Sequence, residues 1–338
     1  MRALSIQSFT GPDGLALVER PCPVPGPSEV RVRVVATAVN RADLLQSRGR
    51  YPAPPGVPAD VPGLELAGVV VACGPGCERL RLADRVMCIV GGGSYADEAV
   101  VDERVCVRVP AELPLAVAGA LPEALITAHD ALVVRGGARS GSHVLIHAAT
   151  SGIGTMAIRV ARAVGAEVTA TTRRPDAVGR LRELGAHRVV VVGADGLEAA
   201  LVREGLVGSV QTVLELVGAP YMAGDLAALA TEGVVVVVGT LDSARVDLDL
   251  ATLMRKRARI QGTVLRARSL EEKVRATEAA FALAERVGFP ALEPVIACRY
   301  TLETAADAHR RVLDGGLIGR VAIDVAPEAF VRDTATRP

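Results

Sequence analysis

Apolar and polar positions follow two regimes along the chain. Up to about residue 120 the segments are short and punctuated by glycine and proline. "EVRVRVVATAVN" alternates apolar and polar side chains and is rich in β-branched residues, the period-two pattern of a half-buried strand. "GVVVAC", "DRVMCIV" and "YADEAVV" predict further short strands, and "YPAPPGVPADVPGLE" carries too much Pro and Gly to be regular. This first part is expected to be β-rich, a sheet or a barrel.

From about residue 121 the period changes. "PEALITAHDALVVRG" predicts a helix with Pro122 in its first turn. The runs "HVLIHAA", "EVTATT", "RVVVV", "TVLELVG" and "VVVVVGT" then alternate with helical stretches such as "TMAIRVARAVG" and "DAVGRLRELG". Strands apolar throughout, with helices between them, form a parallel sheet covered on both faces. After about residue 268, "SLEEKVRATEAAFALAERVG" predicts a helix, and "LEPVIACRYTLETAADAHRRVLDGGLIGRVAIDV" a strand, a helix and a strand. The final strand is spaced to return to the N-terminal β-rich part. "APEAFVRDTATRP" reads as a frayed end. No tandem repeat interrupts this α/β order.

Composition narrows the picture. A chain of 338 residues, half of them hydrophobic, is too long for one ordinary core and predicts two domains. Lys+Arg and Asp+Glu balance at 38 each, which argues against a nucleic-acid or membrane surface as partner. Lys256 and Lys273 are the only lysines, so almost all positive charge is Arg, and a single Arg carries less information. "MRALSIQSFT" lacks the long apolar run of a signal peptide, and no run is long enough to span a membrane. Six scattered cysteines in a chain able to build its own core point to a reduced, cytoplasmic location. Cys73 and Cys77 in "VACGPGCERL" have no second ligand pair nearby, so they read as small residues at a turn, not as half a metal site.

The candidate chemistry lies in "HVLIHAATSGIGTMAIRVARAVGAEVTATTRR", residues 143–174. A strand, a tight turn and an amphipathic helix follow one another, as in a dinucleotide-binding unit. Of the three glycines in the G-x-G-x-x-G fingerprint, only Gly154 fits, with Ala149 and Ser151 at the other two places. Gly152 and Gly154 permit a tight turn and close helix–strand packing. In the turn Ala149, Thr150, Ser151, Gly152, Ile153 and Gly154, the amides of Ser151 to Gly154 would then sit at a helix N-terminus and face a pyrophosphate. The next strand ends in Arg173 and Arg174 where an NAD enzyme needs a carboxylate for the ribose hydroxyl. A guanidinium pair suits a 2′-phosphate, so NADP(H) is the expected cofactor.

Together with "VNRADLLQSRGRYPAPPGVPADVPGLELAGVV", "PEALITAHDAL" and "MRKRARIQGTVLRARS", this stretch resembles the zinc-independent quinone oxidoreductase branch of the medium-chain dehydrogenase/reductase superfamily, across essentially residues 1–325. The resemblance implies an α/β architecture: a split, β-rich GroES-like catalytic domain (1–122 and 267–330) and a Rossmann-type, doubly wound parallel sheet domain (123–266), with the cofactor in the cleft between them. Zinc members carry Cys where Asn40 stands and Gly-His-Glu where Gly63, Leu64 and Glu65 stand, and they have a four-cysteine lobe missing here, so no zinc is expected. Some relatives have a cofactor-contacting Tyr where Val192 lies.

By the same resemblance, Asn40 would contact the nicotinamide ribose or orient the substrate, and Tyr51 would hydrogen-bond the substrate carbonyl. Thr127, Gly239 and Thr240 would approach the cofactor, with Leu265 and Arg266 at its nicotinamide end. A quinone is electrophilic enough to accept hydride without a metal, and its reduced product is easily protonated. An enoyl-thioester or enone reductase on the same fold, or a non-catalytic NADPH-binding structural protein, are the alternatives. His147, inside an apolar strand, reads as a satisfied core histidine. The run "ARIQGTVL" matches an exposed edge strand, through which a homodimer is expected to pair.

Overall fold

A computed structural model describes residues 1–327 of the chain. It divides into two compact units, Met1–Glu123 with Arg266–Phe281 and the described residues from Glu293 on, and Ala124–Leu265 with Ala282–Leu292. Residues 328–338 of the expected frayed end at 326–338, and the last residues of the expected 267–330 segment, lie outside the described residues.

The strands are β1 Arg2–Ile6, β2 Leu15–Glu19, β3 Glu29–Ala38, β4 Glu65–Cys73, β5 Arg85–Ile89, β6 Glu98–Asp102, β7 Cys106–Arg108, β8 His143–Ile146, β9 Glu167–Thr172, β10 Arg188–Val191, β11 Val210–Glu215, β12 Leu229–Val237, β13 Arg259–Gly262, β14 Ile296–Thr301 and β15 Arg320–Asp324. The helices are α1 Arg41–Gln46, α2 Leu115–Ala118, α3 Pro122–His129, α4 Gly152–Ala163, α5 Val178–Glu183, α6 Gly196–Arg203, α7 Ala219–Ala228, α8 Leu250–Lys256, α9 Leu270–Val287 and α10 Ala305–Leu313.

In the first unit β3 organises a seven-stranded sheet. It pairs antiparallel with β4, with β6 and with β15, so the C-terminal strand does return to the β-rich part. The alternation read in "EVRVRVVATAVN" is physical: Val30, Val32 and Val34 are buried while Arg31 and Arg33 reach out to Glu98. Leu66, Val70, Val86, Val321 and Ile323 complete that core. Each such side chain contributes about 1.5–3 kcal/mol on burial.

In the second unit the strand order is β10-β9-β8-β11-β12-β13, parallel throughout. This is the doubly wound order, whose switch point lies where β8 and β11 are neighbours. Val192, just past β10, packs into the core with Leu197 and Leu201. The helix expected from Pro122 changes character partway. From Asp130 to Arg135 it widens to a π-helical turn, closed by the Gly136 amide donating to Ala131 O at 2.9 Å. Asp130 accepts there from Arg135 and from Thr263 Oγ1. No helix among the described residues is long and apolar enough to cross a membrane.

Candidate functional site

At the carboxyl end of β8 the chain enters α4 through the turn expected to bind the nucleotide. Ser151 is the N-cap, and its Oγ accepts from the Gly154 amide at 3.0 Å. The Ser151 amide is itself used, donating to Ala148 O at 2.9 Å. Of the four amides expected to face a phosphate, Gly152 and Ile153 are the two that first-turn helix geometry leaves open. Gly154 has no room for a side chain. A Cβ there would sit 2.5 Å from Ala148 O and 2.6 Å from Ala149 Cα, both main-chain atoms. The glycine lets the helix start against the strand end, the close backbone approach that a dinucleotide turn needs. Ala149 is buried and its amide donates to Thr171 O at 3.1 Å, while Thr150 and Ile153 are half-buried.

The two arginines after β9 are not equivalent. Arg174 folds back onto Asp176 in an ion pair and is about one-third exposed. Arg173 extends outward, 75% exposed, with Asp242 4.0 Å away. The structure thus separates the expected pair into one engaged and one extended guanidinium. Gly239 and Thr240 follow β12, and the amide of Gly239 donates to Glu215 O at 3.3 Å. Thr240 packs beside Gly218, whose φ of 103° favours glycine. Thr127 is half-buried on α3 and Leu265 is buried.

Between the ends of β8 and β11 lies a cluster the sequence reading missed. His147, Glu215 and Asp225 are all fully buried. His147 Nδ1 meets Thr171 Oγ1 at 2.8 Å, and Nε2 meets Asp225 Oδ1 at 2.6 Å. Tyr221 packs edge-on to the imidazole, with ring centroids 4.9 Å apart. Glu215 Oε1 accepts from the amides of Val217 and Gly218. Among the described residues, Glu215 Oε2 and Asp225 Oδ2 have no hydrogen-bond partner. Burial pushes the Glu215 carboxyl up to about 8 and Asp225 up to about 7, and holds His147 down to about 4. His147 is therefore the satisfied core histidine expected, but in an acidic setting. The signal available in the sequence was a glutamate inside the apolar run "TVLELVG".

In the first unit Asn40 caps α1. Its Nδ2 donates to Glu65 Oε1 at 2.9 Å, and its Oδ1 accepts from Arg320 Nη2 at 2.9 Å. Arg320 also pairs with Glu65, whose other oxygen accepts from the Glu123 amide at 2.9 Å. Asp43 accepts from the Asn40 and Gly63 amides, and burial pushes it up to about 6. Burial likewise pushes Glu123 up to about 8. Leu64 is buried. Glu65, Glu123 and Arg320 belong to this network although the sequence reading gave them no role. Cys73 and Cys77 donate their thiols to Leu80 O and Glu29 O, each in its own local contact.

Tyr51 is half-buried in the irregular loop after α1. The Arg266 guanidinium carbon lies 5.2 Å from its ring centroid, and Arg266 Nη1 donates to Tyr51 O at 3.2 Å. Burial raises the phenol above its ordinary range, opposed by the charge of Arg266. It therefore stays a donor near neutral pH. The structure brings Arg266, expected at the nicotinamide end, onto Tyr51.

Residues 26–111 match the family described as the alcohol dehydrogenase GroES-like domain, and residues 152–282 match the zinc-binding dehydrogenase family. A quinone oxidoreductase of Rattus norvegicus is 30% identical over 330 residues, covering 96% of this chain and 97% of the relative. A solved NAD-dependent alcohol dehydrogenase superposes with a TM-score of 0.85 at 29% identity, covering 96% of this chain and all of the other. A Pseudomonas syringae quinone oxidoreductase does so with a TM-score of 0.82 at 26% identity, covering 96% and 99%.

Proposed function

The chain belongs to the quinone oxidoreductase branch of the medium-chain dehydrogenase/reductase superfamily, and on that premise we propose that it reduces quinones with NADPH by direct hydride transfer, without zinc. Gly154 carries the reading. The position excludes any Cβ, and the helix behind it leaves the Gly152 and Ile153 amides for a pyrophosphate. Arg173, extended at the end of β9, supplies the charge for a 2′-phosphate.

When bound, the nicotinamide supplies a two-electron hydride donor. The chain's own part is to bind, orient and hydrogen-bond. Asn40, fixed through Glu65 and Arg320, orients the reacting partners, and the Tyr51 hydroxyl donates to the acceptor carbonyl. Zinc independence rests on residue identity. Position 40 offers an amide already used by Glu65 and Arg320, and position 64 offers an aliphatic side chain. The test follows NADPH absorbance with a simple quinone, repeats it with NADH, and assays the purified protein for zinc. Equal use of NADH, or tightly held stoichiometric zinc, would overturn the corresponding part.

One observation favours a second reading, reduction of an enone or enoyl thioester. The Tyr51 hydroxyl has no hydrogen-bond partner among the described residues and is free to protonate a carbanion. The same assay with enones and enoyl thioesters separates the two. A cytoplasmic homodimer completes the proposal. β13 is an edge strand, and Ile260 on it and Met254 on α8 are exposed at 37% and 74%. Sedimentation as a monomer at micromolar concentration would exclude the dimer.

A further inference from the structure

Arg266 is 6% exposed, and among the described residues it forms no direct ion pair, although the charges of Asp43 and Glu123 act on it. Its nitrogens go to neutral acceptors on three separate segments. Nε donates to Gly91 O at 2.8 Å, Nη1 to Tyr51 O at 3.2 Å, and Nη2 to Gln46 Oε1 at 2.7 Å. Its face covers the Tyr51 ring. Gln46, held by Arg266 on one side, donates to Ala59 O at 2.9 Å on the other. The loop between α1 and β4 is thus pinned at Tyr51 and again at Ala59. Its middle rests on Gly91, where a Cβ would meet Pro54 and Val57 side chains at 3.1 Å. The loop's prolines alone cannot fix it, because they restrict φ but donate no hydrogen bonds.

What this leaves open is specific. The ring of Tyr51 is stacked and its carbonyl is bonded, but its hydroxyl has no partner among the described residues. A planar cation with a rigid fork suits this task, since it can bond several acceptors and stack on an aromatic face at once. We propose that Arg266 is the positioning residue for Tyr51: it fixes ring and backbone so that the phenol hydroxyl is presented to an electron-poor carbonyl substrate. This rests on the reading of Tyr51 as a substrate contact given above. Arg266 itself, with its nitrogens bonded to Gly91, Tyr51 and Gln46, acts through Tyr51 and not on the substrate.

Arg266→Lys keeps the charge but cannot stack and bond three ways. Arg266→Met keeps much of the volume and removes both. The chain has four tyrosines, Tyr51, Tyr95, Tyr221 and Tyr300, so 3-fluorotyrosine labelling gives four ¹⁹F signals, and Tyr51→Phe assigns one. In either Arg266 variant the Tyr51 signal should move toward that of free fluorotyrosine while the other three stay, which also reports that the fold is intact. Quinone kcat/KM should fall by up to about tenfold, no more than loss of the hydroxyl itself costs, with the NADPH dissociation constant within about twofold. In a Tyr51→Phe background, Arg266→Lys should add little, because the residue acts through the missing hydroxyl. An unmoved Tyr51 signal overturns the inference, as does full additivity of the two substitutions. A moved signal with unchanged quinone kinetics upholds Arg266 as the holder of Tyr51 and refutes Tyr51 as a substrate contact.

Discussion

His147 Nε2 lies 2.6 Å from Asp225 Oδ1, an imidazole kept neutral by burial and hydrogen-bonded to a carboxyl group that is wholly buried. Glu215 Oε2 lies 4.0 Å from the same nitrogen, and the three side chains' ligand atoms lie within 4.8 Å of one another. A shared divalent ion would hold its ligand atoms further apart than 2.6 Å, because each would sit about 2.0–2.2 Å from the metal at wide angles. Two buried carboxyl groups beside a neutral histidine instead retain a proton between them.

That proton makes stability depend on pH. Glu215 and Asp225 are raised, to about 8 and about 7, so their contribution is complete below the ordinary carboxylate range and is lost as pH rises through those values. His147 is lowered to about 4, so its contribution is lost only as pH falls. Above the ordinary histidine range only raised acids act, Glu123 of the first unit among them, so the share of the buried triad is read as the difference between wild type and Glu215→Gln. The melting temperature should therefore drop by several degrees from about pH 6.5 to about pH 8.5. Glu215→Gln still accepts from the Val217 and Gly218 amides and can donate to Asp225 without titrating, so its profile should be flatter. An equally steep decline in Glu215→Gln would sink the account.

Gly154→Ala places a Cβ against the main chain of Ala148 and Ala149, which cannot give way as a flexible side chain would. It should cost about 1–3 kcal/mol of stability and weaken NADPH binding at least about tenfold. Gly179 on α5 is the contrast, with nothing within 4 Å of its Cβ position. Gly179→Ala should stabilise by about 0.5–1 kcal/mol and leave NADPH binding alone. Calorimetric titration and thermal melting of both variants check the pair. Normal cofactor binding in Gly154→Ala would remove the turn from the cofactor site.

Arg173→Ala should raise the Michaelis constant for NADPH by about tenfold to a hundredfold, the worth of a charge-assisted contact, and leave NADH unchanged. Arg174→Ala should do less, because that guanidinium already pairs with Asp176. Steady-state kinetics with both cofactors decides. A larger effect at Arg174 would mean that cofactor binding breaks the Asp176 pair.

What the sequence made legible was local. The alternation of β3 and the apolar runs of the parallel sheet are consecutive in the chain, and the periods of two and 3.6 follow from backbone geometry. The Arg174–Asp176 pair, only two residues apart, is equally local. The buried triad was not legible, because residues 147, 215 and 225 meet only once β8, β11 and α7 are assembled. Arg266 joins Gln46 and Tyr51 across more than two hundred residues, and no periodicity encodes that contact. Asn40 was identified, but its partners Glu65 and Arg320 lie on β4 and β15, which only the folded sheet brings together.

The final prediction ranks the two polar residues of the first unit. Tyr51→Phe keeps the ring under Arg266 and the carbonyl bond, and loses only a hydroxyl. One neutral hydrogen bond is worth about 0.5–1.5 kcal/mol, so quinone turnover should fall by about tenfold or less. Asn40→Ala removes the donor to Glu65 and the acceptor for Arg320, both buried and charged. Leaving buried polar groups short of partners costs about 1–3 kcal/mol of stability. The disturbed geometry should cost about a hundredfold in kcat. Asn40→Asp would place a third carboxyl beside Glu65 and Asp43, and should be worse for stability than Asn40→Ala. Kinetics with a simple quinone, paired with thermal melts, separate the two losses. Activity that collapses in Tyr51→Phe while Asn40→Ala stays near wild type would reverse the ranking, and would favour the reductase that protonates a carbanion over the one that only positions a quinone.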